Sequence, residues 1–210
     1  MIVAWDFDGV LNAGTRDGRF LWTEGLKTAW GIRPDELAGL FRDWDPVMTG
    51  REDILDRLAA WLERQGHDVG AAELLAWWLE ADTFPDAEMR DHMDRLAARG
   101  VRQVIATNNE PRRAAHIEGP MGYGARVERV FASGRMGLRK PQAAFFHAVT
   151  AALGAAPAEM LLVDDLAHNI EAARALGWQA FHLTPASRAD LGKALDDARV
   201  RAHPAHMENP

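Results

Sequence analysis

The chain opens with a short apolar run, Ile2-Val3-Ala4-Trp5, which stops at Asp6-Phe7-Asp8-Gly9. A bounded, partly β-branched run of this length predicts a buried strand ending in a turn. The same signature recurs at 101–106, 129–132, 160–163 and 179–183. Helical periodicity fills the spaces between, at 87–99, 112–117, 142–153, 167–176 and 188–199. Gly100, Gly154 and Gly177 stand where three of these helices should end, as expected of a residue that tolerates the left-handed conformation. Apolar strands alternating with amphipathic helices predict an α/β fold, a doubly wound and mainly parallel sheet covered on both faces.

One stretch breaks the alternation. From about residue 13 to residue 83 no strand pattern is convincing, and four helix-period segments stand at 23–30, 35–44, 51–65 and 71–81. A crossover to the next parallel strand normally needs one helix, so about seventy residues is an excess. The pattern therefore predicts a core of residues 1–12 plus 85–200 with a small all-helical subdomain, 13–84, inserted after the first strand. Material at the C-terminal edge of a strand is well placed to cover a site. Residues 201–210 carry two prolines and no apolar periodicity, which predicts a loose tail.

Composition narrows the function classes. Lys+Arg number 24 against 31 Asp+Glu, a net charge of −7, which disfavours a nucleic-acid partner bound through phosphate neutralisation. The chain has no Cys, removing disulfides, thiolate nucleophiles and Cys-based zinc sites together and fitting a reducing compartment. Met1 to Trp5 carries no basic region and reads as no signal peptide. No stretch approaches the roughly 18–20 apolar residues of a membrane span. The expectation is a soluble cytoplasmic protein with neither nucleic acid nor membrane as partner.

Four segments carry candidate chemistry. Asp6 and Asp8, at i and i+2, point to the same side of the first strand's end, and Gly9 lets the chain turn sharply. A polar turn, with Asp8 capping a helix, is the plainer reading. Thr107-Asn108-Asn109 ends another strand with a hydroxyl and two amides. Thr107 can donate to a phosphate oxygen alongside free N–H groups at the next helix start, while Asn109 can cap the helix that Pro111 begins. Lys140-Pro141 opens the helix at 142–153, where proline suits the first turn and the lysine alone reads as solvated. Asp164 and Asp165 end a buried strand, with Asn169 one turn into the next helix. Adjacent acids repel and call for a cationic neighbour; otherwise Asp165 is an N-cap and Asp164 pairs with an arginine. Carboxylates and hydroxyls from three strand ends on one edge make a hard-oxygen site suited to Mg²⁺.

Taken in order, Asp6-Phe7-Asp8-Gly9-Val10-Leu11, Thr107-Asn108, Lys140-Pro141 and Asp164-Asp165 resemble the four motifs of the haloacid dehalogenase-like hydrolase superfamily. The helical insert sits where that superfamily places its first-type cap. The resemblance implies that Asp6 is a nucleophile forming an aspartyl-phosphate. It implies that Asp8 is general acid and then general base, so Asp8 must hold a proton while Asp6 stays ionised. It implies Mg²⁺ bound by Asp6, the Asp8 carbonyl and Asp165, with Asp164 a ligand directly or through water. Thr107, the Asn108 N–H and Lys140 would hold the phosphoryl oxygens and offset transition-state charge. Dehalogenases of this type lack an acid two residues after the nucleophile, so Asp8 favours phosphoryl chemistry.

Six of the eight tryptophans, Trp22, Trp30, Trp44, Trp61, Trp77 and Trp78, lie in the insert. They read as core filling for most, Trp61 above all, or as an aromatic lining over the site. Trp77 and Trp78 are adjacent and cannot both face one way. Thr49-Gly50-Arg51-Glu52 resembles segments of β-phosphoglucomutase-like members in which an Arg holds a non-reacting phosphate, so Arg51 is a candidate phosphate ligand. Thr49-x-x-Glu52 also reads as a capping box for the helix that follows. Arg16, Arg19 and His168 are further candidates for the site's edge. The expected function is Mg²⁺-dependent hydrolysis of a small-molecule phosphate ester by a monomer or homodimer. A phosphomutase and a non-catalytic binding member of the fold are the alternatives.

Overall fold

The computed structural model describes residues 1–16 and 19–202. From β1 (Ile2–Trp5) the chain enters a short antiparallel pair, β2 (Thr15–Arg16) and β3 (Arg19–Phe20). Five helices follow: α1 (Thr23–Trp30), α2 (Leu37–Leu40), α3 (Asp45–Met48), α4 (Ile54–Gln65) and α5 (Ala71–Ala81). Then come α6 (Ala87–Ala98), β4 (Arg102–Thr107), α7 (Pro111–Glu118), β5 (Arg129–Ala132) and α8 (Ser133–Met136). The chain continues through α9 (Ala143–Leu153), β6 (Met160–Asp164), α10 (Ala167–Ala175), β7 (Gln179–His182) and α11 (Leu191–Ala202).

Five strands form one parallel sheet in the order β5-β4-β1-β6-β7. Strand alternation divides its side chains between two buried faces. Val3 and Trp5 pack with Met89 and Met93 of α6, Ile117 of α7 and Leu191 of α11. Ile2 and Ala4 pack with Phe145 and Val149 of α9 and Ile170 and Ala173 of α10. With helices on both sides, the central β1 and β6 read as apolar runs rather than alternating, while the edge strand β7 (Gln-Ala-Phe-His) is only half-buried.

The insert has its own apolar cluster, in which Leu26, Ile32, Leu40, Leu58 and Trp61 are almost wholly buried. Trp22 is touched by both members of the adjacent pair, with Trp78 stacked at 4.5 Å and Trp77 edge-on at 6.5 Å between centroids. Two neighbours with different directions can therefore meet the same ring.

Several local expectations need correction. The insert does contain strands, but β2 and β3 have two residues each, too few to carry a periodic signal. The segment at 35–44 is a 3₁₀ turn, Pro34–Glu36, followed by the single turn of α2; beyond it Asp43 takes a left-handed backbone, φ 47°. Asp53, not a Thr49–Glu52 box, caps α4 by accepting from Leu55 N. Glu52 instead pairs with Arg57. Pro141 precedes α9 by two residues, across a cis peptide bond from Lys140. The expected tail from 201 onward lies outside the described residues, apart from Arg201 and Ala202 at the end of α11. Among the described residues no helix is long and apolar enough to cross a membrane.

Candidate active site

Sheet order explains why the motif residues meet. β1 is central, and the chain builds outward from it on one side through β4 and β5, then returns to build the other side through β6 and β7. Connections leaving in opposite directions open a crevice at the C-terminal ends of β1, β4 and β6. Asp6, Thr107 and Asp164 stand at those three ends, all of them buried. Asp6 N donates to Val163 O at 2.8 Å, extending the β1–β6 ladder by one bond.

Lys140 is the cation that the adjacent acids called for. Its Nζ lies 3.0 Å from Asp6 Oδ1 and 2.6 Å from Asp164 Oδ2, with its side chain wholly buried. Asn108 fixes it from behind: the Asn108 amide donates to Lys140 O and accepts from Lys140 N, both at 2.9 Å. The second oxygen of Asp164 accepts from Leu166 N and Asn169 Nδ2. Asp164 is thus saturated with donors, and Leu166, not Asp165, occupies the N-cap position of α10.

Oxygens of Asp6, Asp164 and Asp165 all lie within 4.8 Å of one another. Three carboxylates share one ammonium, and an all-oxygen donor set of this kind fits a hard divalent cation, whose charge would favour their ionised forms. Burial pushes the Asp6 carboxyl well above the usual range, and the charges of Asp164 and Asp165 add to this while Lys140 opposes it. Burial alone would lower the Lys140 ammonium, but Asp6 and Asp164 outweigh it and hold the amine above its ordinary value. Gly9 completes the cradle. Its backbone is left-handed, φ 82°, and a Cβ there would stand 2.3 Å from Asp165 Oδ2.

Asp8 faces a different set of groups. Asn109 Nδ2 donates to Asp8 Oδ2 at 2.8 Å and to Thr107 Oγ1 at 2.8 Å. Asn109 is free to do so because Glu110, rather than Asn109, caps α7 by accepting from Arg112 N and Arg113 N. The buried Arg113 guanidinium lies 3.6 Å from Asp8 and 3.1 Å from Asp82 at the end of α5, and donates to the Asp82 carbonyl at 2.9 Å. Burial, and then the charge of Asp8, raise the Asp82 carboxyl to about 7 despite Arg113.

A cavity of about 320 Å³ lies between insert and core. Asp8, Asn109 and Arg113 line its core side; Trp22, Phe41, Trp44, Ile54, Leu75 and Trp78 line the insert side. Trp61 is 1% exposed within the insert, Trp77 packs on Trp22 and Trp30, and neither lines the cavity. Polar contacts seal the seam beside it: Arg112 grips Asp53 through two bonds, Arg139 pairs with Asp45 at 2.7 Å, and Ser133 Oγ donates to Met48 O at 2.6 Å.

Asp6, Lys140, Asp164 and Asp165 are therefore brought together, Asn109 ties Thr107 to Asp8, and Asp8 opens onto the cavity. Arg51 is not among them: it donates to Thr49 Oγ1, pairs with Asp45 and is 64% exposed. Arg19 and His168 are exposed, and the side chain of Arg16 lies outside the described residues. Sequence reasoning missed Arg113, Asp82 and the Asp8 contact of Asn109. One signal was available, since Arg113 stands four residues before the buried Ile117 and so on the buried face of α7.

A sequence model of haloacid dehalogenase-like hydrolases matches residues 1–177. A sesquiterpene phosphatase of Aspergillus oryzae is 33% identical over 105 residues, covering 48% of this chain; the match spans 51%, about half, of that relative's length. A phosphatase of Mycobacterium tuberculosis is 27% identical over 192 residues, covering 85% of each chain. In structure the protein is similar to a HAD family enzyme from Bacteroides thetaiotaomicron in complex with magnesium and inorganic phosphate. The TM-score is 0.71 at 20% identity, covering 87% of this chain and 93% of that one. It is also similar to an L-2-haloacid dehalogenase from Xanthobacter autotrophicus, with a TM-score of 0.65 at 19% identity, covering 93% and 82%. Motif order, sheet topology and the family match agree, and the chain belongs to the haloacid dehalogenase-like hydrolases.

Proposed function

We propose that the protein is a Mg²⁺-dependent phosphomonoester hydrolase working through an aspartyl-phosphate, with residues 13–84 as its cap. The observation that carries this reading is the placing of Asp8, two residues beyond the buried Asp6, in the wall of the cavity where a leaving group would sit. The names of two relatives, both phosphatases, and a structural neighbour holding magnesium and phosphate support it.

In the first step an Asp6 oxygen attacks phosphorus and the ester P–O bond breaks. Among the described residues both hydrogen bonds to the Asp6 carboxylate, from Phe7 N and Lys140, fall on Oδ1, which leaves Oδ2 as the nucleophilic oxygen. Asp8 gives its proton to the departing alkoxide, releasing the alcohol. In the second step Asp8 takes a proton from water, the hydroxide oxygen attacks phosphorus, and the Asp6–phosphorus bond breaks to return the carboxylate and inorganic phosphate. Thr107 Oγ1 accepts from Asn109, which leaves its own hydroxyl proton for a phosphoryl oxygen. The Asn108 N–H and the ammonium of Lys140 serve the same oxygens. Asp6, Asp165, the Asp8 carbonyl and, through water, the saturated Asp164 would hold Mg²⁺, which when bound neutralises charge on the carboxylates and the phosphoryl group.

Arg51 supplies nothing that favours the phosphomutase alternative, since it pairs with Asp45 outside the cavity. The test is Mg²⁺-dependent hydrolysis of p-nitrophenyl phosphate, lost in Asp6→Asn. Absence of turnover across a broad panel of phosphate esters, together with absence of Mg²⁺ binding, refutes the reading. Halide release from a 2-haloacid would put the protein among the dehalogenases instead.

A further inference from the structure

The wall opposite Asp8 is the least used part of the site in this mechanism. Trp22, Phe41, Trp44, Ile54, Leu75 and Trp78 present rings and branched alkyl groups to it. Phe20 of the β2–β3 pair lines the cavity too and stays 47% exposed, one of two large apolar side chains so exposed among the described residues. The charge pattern is equally one-sided. Arg113 is the only cation lining the cavity among the described residues, and Asp8 and Asp82 flank it. No free positive charge is left there to meet a carboxylate or a second phosphate on the leaving group. The hydroxyls of a sugar or polyol would lose water against a wall whose only hydrogen-bonding groups are the indole N–H donors of Trp22, Trp44 and Trp78, a net cost. An apolar group releases water from both surfaces and gains from the same wall.

We propose, resting on the phosphatase reading above, that the substrates are monophosphate esters of an uncharged apolar alcohol, alkyl or aromatic. Size follows from the volume. At about 30 Å³ for each water-sized group, the cavity of about 320 Å³ holds on the order of ten non-hydrogen atoms. The phosphate lies at the aspartates, the ester oxygen beside Asp8, and the organic group runs away from the sheet edge into the insert.

The test is a homologous series: kcat/KM with Mg²⁺ for ethyl, butyl, hexyl and octyl phosphate beside glycerol 3-phosphate and glucose 6-phosphate. Each methylene that leaves water for the wall should raise kcat/KM roughly two- to fourfold, so octyl should exceed butyl by roughly 16- to 250-fold. Binding is read separately from turnover: octylphosphonate, which carries no hydrolysable ester, should change the tryptophan fluorescence at concentrations where methylphosphonate does not. Met48→Lys, placing an ammonium in the cavity wall, should flatten the series in a protein shown by circular dichroism to be folded. If that variant does not fold, the wild-type series and the phosphonate titration decide. A flat series, a preference for the polar esters, or equal binding of the two phosphonates overturns the inference and leaves the phosphatase reading standing. Failure to hydrolyse any ester, ethyl phosphate included, removes both.

Discussion

Asp82→Asn should change how the protein's stability depends on pH. The wild-type carboxyl titrates at about 7 in the folded protein against 3.8 when unperturbed, because burial outweighs the neighbouring Arg113. Below about pH 4 the group is protonated both folded and unfolded and contributes no pH dependence. Between pH 4 and 7 the unfolded chain ionises while the folded protein keeps its proton, so unfolding releases one proton and stability falls by about 1.4 kcal/mol per pH unit. Above 7 both states are ionised and the loss levels off at about 4 kcal/mol relative to acid conditions. Asparagine carries no such penalty. Urea unfolding of wild type and variant at pH 4, 5, 6, 7 and 8 should therefore give a difference in free energy that moves in the variant's favour up to pH 7 and then stays constant. The offset at pH 4 reports whatever the amide loses or gains in its contact with Arg113; the slope reports the titration alone. Parallel profiles for the two proteins would refute the argument, showing that Arg113 holds Asp82 ionised throughout.

Three further outcomes are expected. Lys140→Met strips Asp6 and Asp164 of their shared ammonium and should cost about 3–5 kcal/mol in urea unfolding; a cost below about 1 kcal/mol would contradict the pairing. Gly50→Ala places a methyl 2.0 Å from Gly134 O at a left-handed position, φ 68°. It should cost more than about 1 kcal/mol by strain alone, read as a lower Tm, with the insert pushed off the core. In kcat/KM, which reports only the steps up to departure of the alcohol, Asp8→Asn should slow alkyl phosphates far more than p-nitrophenyl phosphate, whose leaving group departs without a proton. Equal losses on both would remove Asp8 from the acid's role.

How much the sequence disclosed depended on the range of the interaction. Strands and helices were visible because burial on both sheet faces makes the central strands bounded apolar runs, and because left-handed glycines such as Gly154 end helices locally. Asp6, Lys140 and the Asp164–Asp165 pair stood out because each occupies the first polar position after such a run or before a helix. At the start of α4 two capping arrangements overlap in sequence, and Asp53, directly before Ile54, prevails over Thr49–Glu52. The contacts around Asp8 were out of reach. Asn109 meets Asp8 across 101 positions, and Arg113 meets Asp82 across 31; neither separation leaves a periodic trace. The aromatic wall was half legible: the tryptophans clearly belonged to the insert, but only the packing of the insert's elements on one another decides that Trp22 and Trp78 line the cavity while Trp61 is buried away from it.

The seam between insert and core and the cavity it closes are made of opposite materials. The seam is held by Arg112–Asp53, Arg139–Asp45 and the Ser133 hydroxyl, and the Arg112–Asp53 pair is more than 40% exposed on both sides. Exposed pairs of this kind are worth less than about 1 kcal/mol each, because water solvates the separated ions nearly as well. Parting this edge of the seam, away from the buried Arg113–Asp82 pair, therefore demands little energy and disturbs neither hydrophobic core. Traffic is decided by what occupies the space behind it: an empty apolar chamber is wetted at a cost, and a filled one resists opening in proportion to the apolar area its guest covers. Residence time would then grow with the size of the organic group, and the alcohol, not the phosphate, would be the slower product to leave.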